Sequence, residues 1–341
     1  MAGALLGVAF LVRGLGDMAS PGGSTLSWFS PLGWSLQTAP YVLNHWWPLW
    51  LLVALTACSV GVAFLLQSRR DLGIGWLRAG RGRPHARAHL GSPFGLAWRL
   101  QRGALLGWAA AIVVFALIDG GFAQTMLDAA AEMPPILTDM FGGTAGLADG
   151  YAAFLAEYSG YLAVAHVVFA AHILTGEEQS GRADAVLATP TSRISWAGTH
   201  YLVIAMGVVA VLTVAGLASG VAFAAVTADT AMIGTLIAAH LNLVPAVWVM
   251  VALMAVLFGW APRLLTVVGW VAAGMVFFFG LFARIMDLPE WVIGLSPLSH
   301  PAQLPVEDFS ATPLLVLTLI TAAGVGLGLI GLRRRQIMNR A

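Results

Sequence analysis

The side chains able to do chemistry are few and tightly grouped. Glu177, Glu178, Arg182 and Arg193 fall in one polar stretch, GEEQSGRADAVLATPTSRISW (176–196), of an otherwise apolar chain. Acids and arginines at this density form ion pairs and charged contacts with another surface; they do not form a catalytic constellation. Glu157 stands inside an apolar run, where a carboxylate is costly and marks a candidate functional site. It could attract a cationic substrate or pair with Arg284; alternatively it lies at the interface, in a helix that starts after Tyr151. His240 and Asn242, close to Pro245, form a second polar cluster, either bonding across helices or lining a pathway. His166 and His172 do not share a helical face and read as packing residues.

Several classes of chemistry are excluded by what the chain lacks. All 17 basic residues are arginine, and a Walker A motif needs a lysine to reach the nucleotide phosphates. No HExxH, Gly-x-Ser-x-Gly or Cys/His cluster occurs, so neither an enzyme nor a metal site is expected. The single cysteine, Cys58, lies in an apolar run and has no intrachain partner for a disulfide. No basic n-region or cleavage site marks a signal peptide, and no basic soluble domain suggests a nucleic-acid partner.

The elements that position these groups are membrane helices. With 59% hydrophobic and 10% charged residues and a mean hydropathy of +0.84, the composition is that of an all-α polytopic membrane protein. Full crossings of a core of about 30 Å are expected at 49–66, 104–122, 151–174, 199–225, 231–258, 264–282 and 312–332. Ala2 to Val12 is too short to cross and reads as a partial helix. Trp46, Trp47 and Trp50 form an interfacial anchor ahead of the first crossing.

Residues 71–102 are an Arg-rich linker ending in an elbow helix, with Ser92 as N-cap and Pro93 in the first turn. Fifteen of the 17 arginines then fall on one face of the alternating topology, which the positive-inside rule makes cytoplasmic. The loops carrying Asp128, Glu132, Asp139 and Asp149, and the segment 281–311, face outside.

The polar stretch 176–196 therefore connects two crossings on the cytoplasmic side. Gly181 and Pro190 bound a short amphipathic helix within it. A loop of this length is either a docking surface or a solvated interfacial helix. The order Glu177-Glu178, Gly181-Arg182, Leu187-Ala188-Thr189-Pro190, Ser192-Arg193 and Trp196 resembles the cytoplasmic loop of ABC exporter permeases of the type-two class, in particular the double-length permeases of polyketide-antibiotic (tetronasin-like) exporters. The resemblance implies a coupling helix touching a separate ATPase subunit, in two copies, which holds the ATP and magnesium. No cofactor belongs to this chain.

An internal repeat divides the chain. Ser30-Pro31-Leu32 recurs as Ser296-Pro297-Leu298, and 39 residues separate Ser30 from Arg69 and Ser296 from Arg335. These motifs are external: either re-entrant hairpins or capping turns. The expected organisation is residues 1–70 as the last third of a first permease half, 71–102 as linker and elbow, and 103–341 as a complete six-helix half with its coupling loop at 175–198. The first four helices of the first half are missing, so Met1 is a misassigned start, a split-gene boundary or a truncation.

The function expected is outward, ATP-driven permeation of a hydrophobic or amphipathic compound through the cytoplasmic membrane, with a second permease chain as a further partner. The alternatives are a non-transporting assembly or sensor subunit and an ion-coupled transporter using Glu157 and His240. On this reading, Arg193→Glu combined with Glu178→Arg leaves the membrane fold intact and lowers transport and stimulated ATPase activity.

Overall fold

A computed structural model describes residues 2–19, 24–68, 88–129, 146–282, 286 and 288–335. All regular structure among them is helical, and seven segments are long and apolar enough to cross a membrane. The chain forms two compact units, residues 1–86 and 87–341. The Arg-rich stretch 69–87, most of the acidic loop, Arg284, Asp287 and Arg340 lie outside the described residues.

The first unit holds α1 (Ala2–Ala19), a 3₁₀ turn (Thr25–Phe29), α2 (Pro31–Leu36) and α3 (Pro48–Ser68). The partial helix is longer than expected. Arg13 does not end it, because Arg13 Nε pairs with Asp17 Oδ2 one turn on, at 3.2 Å, an i,i+4 contact that favours continuing the helix. Asp17 also accepts from Ser27 Oγ at 3.1 Å. Ser30 precedes α2, yet its hydroxyl does not cap it; Ser30 Oγ donates to Ala9 O at 2.6 Å. Ser30 thus stands at the N-cap of a short helix and ties it to α1 through its hydroxyl. Trp47 of the aromatic anchor stacks on Trp28 at 5.2 Å.

The second unit runs α4 (Pro93–Gly121), α5 (Ala123–Asp128), α6 (Leu147–Gln179), α7 (Arg182–Leu187), α8 (Arg193–Thr227), α9 (Ala231–Asn242), α10 (Val244–Trp260), α11 (Leu265–Phe282), α12 (Glu290–Ile293) and α13 (Ala311–Arg334). Helices α6, α8 and the α9–α10 pair form its centre and are mostly buried, whereas α11 and α13 lie at its periphery. The expected elbow is not a separate helix. Ser92 Oγ accepts from Gly95 N at 3.0 Å, and from that cap α4 runs unbroken through the crossing.

Two further boundaries differ from the pattern reading. Helix α6 starts at Leu147 and ends at Gln179, so Glu157 is well inside a helix rather than at its edge, and Glu177 and Glu178 are helical rather than loop residues. The single crossing expected over 231–258 is broken between Asn242 and Val244. Pro245 has no N–H to continue the ladder and its ring crowds the preceding turn; Leu243 N instead makes a tighter bond to His240 O at 3.2 Å.

Small residues set how closely the helices approach. A Cβ on Gly328 would run into the Ala255 backbone and one on Gly259 into the Gly328 backbone, while Gly324 lies against Ala252. Helices α10 and α13 therefore meet backbone to backbone, as small-xxx-small spacing permits inside a membrane. Gly216 and Gly220 do the same for α8 against Ile237 and Ile233 of α9. Gly328→Leu is expected to lower stability by about 2–3 kcal/mol through overpacking. Gly326→Leu, at a position with open space, should leave the melting temperature of the purified protein unchanged; thermal denaturation in detergent compares the two.

Candidate functional site

The polar loop is built by three local devices. Gly181 adopts φ +72°, a left-handed conformation that favours glycine, and turns the chain sharply after α6. Pro190 lies past the end of α7, and Ser192 caps α8, its Oγ accepting from Ser195 N at 3.1 Å. Between them α7 lays Ala183, 1% exposed, into the core, with Val186 and Leu187 packed partly beneath it. Arg182, Asp184, Ala185, Ala188, Thr189 and Pro190 remain exposed. This is an amphipathic helix seated on one end of the bundle with an outward face of mixed charge.

The two acids before it have different partners. Glu177 accepts from Arg182 Nε and Nη2 at 2.9 and 2.8 Å, fastening the first turn of α7 to the end of α6. The hydrogen bond to Glu177, and then its charge, raise the Arg182 pKa. Because the Arg182 side chain is 62% exposed, the pair fixes geometry more than it adds stability.

Glu178 instead faces inward. Arg335 Nη1 and Nη2 donate to its two carboxylate oxygens at 2.5 and 2.6 Å, 157 residues away in sequence, with the side chains 2% and 14% exposed. Arg335 also sits over the Phe258 ring, 5.0 Å from its centroid, and its carbonyl accepts from Arg193 Nη1 at 2.7 Å. The bidentate fork suits a buried carboxylate, and the ring face adds attraction where water is excluded. The end of α6, the start of α8 and the end of α13 are thereby clasped around one charge pair.

The clasp continues sideways through aromatic packing. Trp196 lies 6.1 Å from Phe258 and edge-on to His200 at 5.8 Å, and the buried Gln101 Nε2 meets His200 Nδ1 at 2.9 Å. Gln101 belongs to the first turns of α4, so the elbow stretch, the α7 loop and the end of α13 share one connected cluster.

Glu178 is thus an internal fastening, which corrects its expected availability for an outside partner; Arg193 is half-buried and tied to the Arg335 carbonyl through Nη1. The paired substitution Arg193→Glu with Glu178→Arg would set a guanidinium against Arg335 and leave it without its carboxylate, so it is not expected to spare the fold.

At the other end of the bundle, Glu157 accepts from Tyr161 Oη at 2.5 Å and lines a small recess of about 20 Å³ with Ala153, Ala239, Leu243, Leu298 and Gln303 among its walls. Arg284, its suggested partner, is outside the described residues. His240 has both ring nitrogens engaged, Nδ1 with Leu236 O at 2.7 Å and Nε2 with Ser159 Oγ at 3.1 Å. It braces α9 against α6 and is fully buried. Asn242 Nδ2 donates to Ala302 O at 2.7 Å, holding down the segment that follows the second Ser-Pro-Leu motif.

That motif resembles the first in one respect: Ser296 precedes a short helical turn without capping it by its side chain. Pro297 starts the turn, and Leu298 inserts beside Gly160 and Leu243. Glu157, Asn242, Ser296 and Pro297 are brought to one end of the second unit, whereas Ser30 and Pro31 belong to the first.

Four residues here were not singled out from the sequence: Arg335, Gln101, His200 and Asp119, the last near the end of α4 with Oδ2 buried and unpartnered. For Arg335 the 39-residue repeat spacing was the available signal. The others needed the fold.

Residues 90–333 match the profile of the family described as multidrug efflux system permease Rv1217c, C-terminal domain. The chain is similar to the multidrug efflux system permease protein Rv1217c of Mycobacterium tuberculosis (strain ATCC 25618 / H37Rv), with 34% identity over 337 residues. That alignment covers 98% of this chain and 61% of that protein.

Breaking the clasp from one side is expected to be severe. Arg335→Ala should cost about 3–5 kcal/mol by leaving Glu178 buried and unpaired, whereas Glu178→Leu with Arg335→Met should recover most of the loss. Arg334→Ala, lacking this carboxylate, should stay within about 0.5 kcal/mol. Melting temperatures of the purified variants read all three.

Proposed function

Since the chain belongs to the family of the multidrug efflux permease Rv1217c C-terminal domain, we propose that it is the membrane-embedded permease of an ATP-driven ABC exporter. Its cargo is a hydrophobic or amphipathic compound of the polyketide-antibiotic kind. A separate ATPase subunit, present in two copies, holds ATP and magnesium and docks against the α7 face. A second permease chain completes the pathway where one chain is insufficient. The arginine-rich loops and the C-terminal end face the cytoplasm, and the Glu157 end faces outward across the cytoplasmic membrane.

The observation that carries this reading is the exposed face of α7 on a rigidly fastened base. A partner that changes shape with nucleotide can shift the permease only if it contacts the loop differently in its two states. A helix braced by Glu177–Arg182 and seated beside the Glu178–Arg335 clasp can transmit such a difference to α6, α8 and α13 together. A helix on a slack tether would absorb it. His240, held by two hydrogen bonds, fits a bracing role better than a proton-carrying one, which weighs against ion-coupled transport.

The test is uptake of rhodamine 6G into inside-out membrane vesicles containing the chain and its ATPase subunit. ATP-dependent, vanadate-sensitive uptake that survives collapse of the proton gradient is expected. Ala185→Arg, on the outward face of α7, should reduce it about tenfold, equivalent to about 1.4 kcal/mol of docking energy, with the melting temperature unchanged. Uptake driven by the proton gradient without ATP would overturn the reading in favour of ion coupling. No ATP-driven uptake of any amphiphile would favour an assembly or sensor role.

A further inference from the structure

We infer that Asp119 and the aromatic side chains beside it form a binding site for a lipophilic organic cation, a charge carried on an aromatic or strongly apolar frame. One turn of α4 carries Phe115 and Asp119. It faces Tyr151, Phe154 and Tyr158, which recur at three- and four-residue spacing along one side of α6. The register between the helices is fixed by two contacts: Phe115 stacks on Tyr158 with centroids 4.6 Å apart and planes 10° from parallel, and Tyr151 Oη donates to the Asp119 backbone carbonyl at 2.7 Å. Phe154 follows at 5.9 Å from Tyr158. Phe277 of α11 meets Tyr158 edge-on at 6.2 Å.

The carboxylate in this setting is short of positive charge. Its Oδ2 is buried and without a hydrogen-bond partner, and no ion pair to Asp119 occurs among the described residues. It stands two residues before the end of α4, whose last turn holds no basic residue. A helix C-terminus is the negative end of the macrodipole, so the backbone there adds to the deficit of positive charge. A carboxylate so placed calls for a cation.

The neighbouring groups select the kind of cation. Aromatic faces attract a positive charge within about 6 Å of the ring, most strongly where water is excluded. They offer nothing to the hydration shell of a small metal ion. Tyr158 and Phe154 are half-buried, and Phe277 is 36% exposed, so part of the cluster reaches the surface of the unit. A cation with its charge shielded by apolar groups meets both demands.

This inference rests on the export reading in supposing that the ligand is cargo, but its test is direct binding and needs no ATPase. The chain, purified in detergent, is titrated with radiolabelled tetraphenylphosphonium, and with neutral tetraphenylsilane as an isosteric control. The wild type is expected to bind the cation more tightly than the neutral compound. Asp119→Asn should weaken cation binding about thirtyfold while leaving the neutral compound unchanged, and Asp119→Glu should restore most of it. Phe115→Leu should weaken the cation about fivefold.

Equal affinity of the wild type for the two probes would overturn the inference. So would an Asp119→Asn variant that keeps its cation affinity, or a variant with wild-type melting temperature that weakens both probes alike. Specific cation binding without ATP-driven uptake in vesicles would leave the site standing and remove the export reading.

Discussion

The structure of the second unit depends on one buried charge pair. Removing a carboxylate and a guanidinium from water costs several kcal/mol each, and only excellent geometry offsets it. Glu178 and Arg335 offset most of it with a two-pronged hydrogen bond, a ring face beneath the guanidinium and a backbone tie to Arg193, while Arg335 Nε stays buried without a partner. Once those contacts exist, alternatives that separate α13 from α6 carry the full cost of a stranded charge. The pair thus acts as a register lock, a role apolar packing alone performs poorly where every helix face is similarly greasy.

The rest of the bundle is arranged so that the lock can close. Backbone-close packing at Gly328 and Gly259 brings α13 onto α10, which carries Phe258 to the clasp. Gly181 ends α6 within three residues of Glu178, and Ser192 starts α8 one residue before Arg193. The loop between is left just long enough for one amphipathic turn of helix. At the opposite end Asn242, just before the break, reaches Ala302 beside the small recess at Glu157. The two ends differ in character: one tightly fastened and charged outward, the other a small recess with a carboxylate on its wall.

Much of this was legible in the residues themselves. Seven apolar runs stand out because a bilayer crossing demands about twenty of them in a row, and the seven long helices fall where those runs do. Gly181, Pro190 and Ser92 announced their turns and caps through backbone preferences that need no tertiary context. Helix ends were less legible: hydropathy falls at Leu174 while hydrogen bonding continues to Gln179, since a helix outlasts its apolar stretch. The break at Leu243 was hidden inside a continuously apolar run, although Pro245 marked it.

The partners of the acids were the least legible part. Glu177 and Glu178 are adjacent and alike in sequence, yet a helix turns neighbours about 100° apart, sending one to a local arginine and the other inward. Arg335 looked like one more cytoplasmic charge beside Arg333 and Arg334. Asp119 sat at the edge of a crossing, and only the packing of α4 on α6 brings its turn against Tyr151.

The account's central claim is that the Glu178–Arg335 pair holds the α7 loop in place. Hydrogen exchange followed by mass spectrometry on the wild type and the Arg335→Ala variant, under conditions where both stay folded, tests it most directly. Amide exchange across 178–192 should quicken by about tenfold or more in the variant, while the α8–α9 contact around Gly216 and Gly220 keeps its protection. Unchanged protection of 178–192 in a folded variant lacking the arginine would contradict the claim.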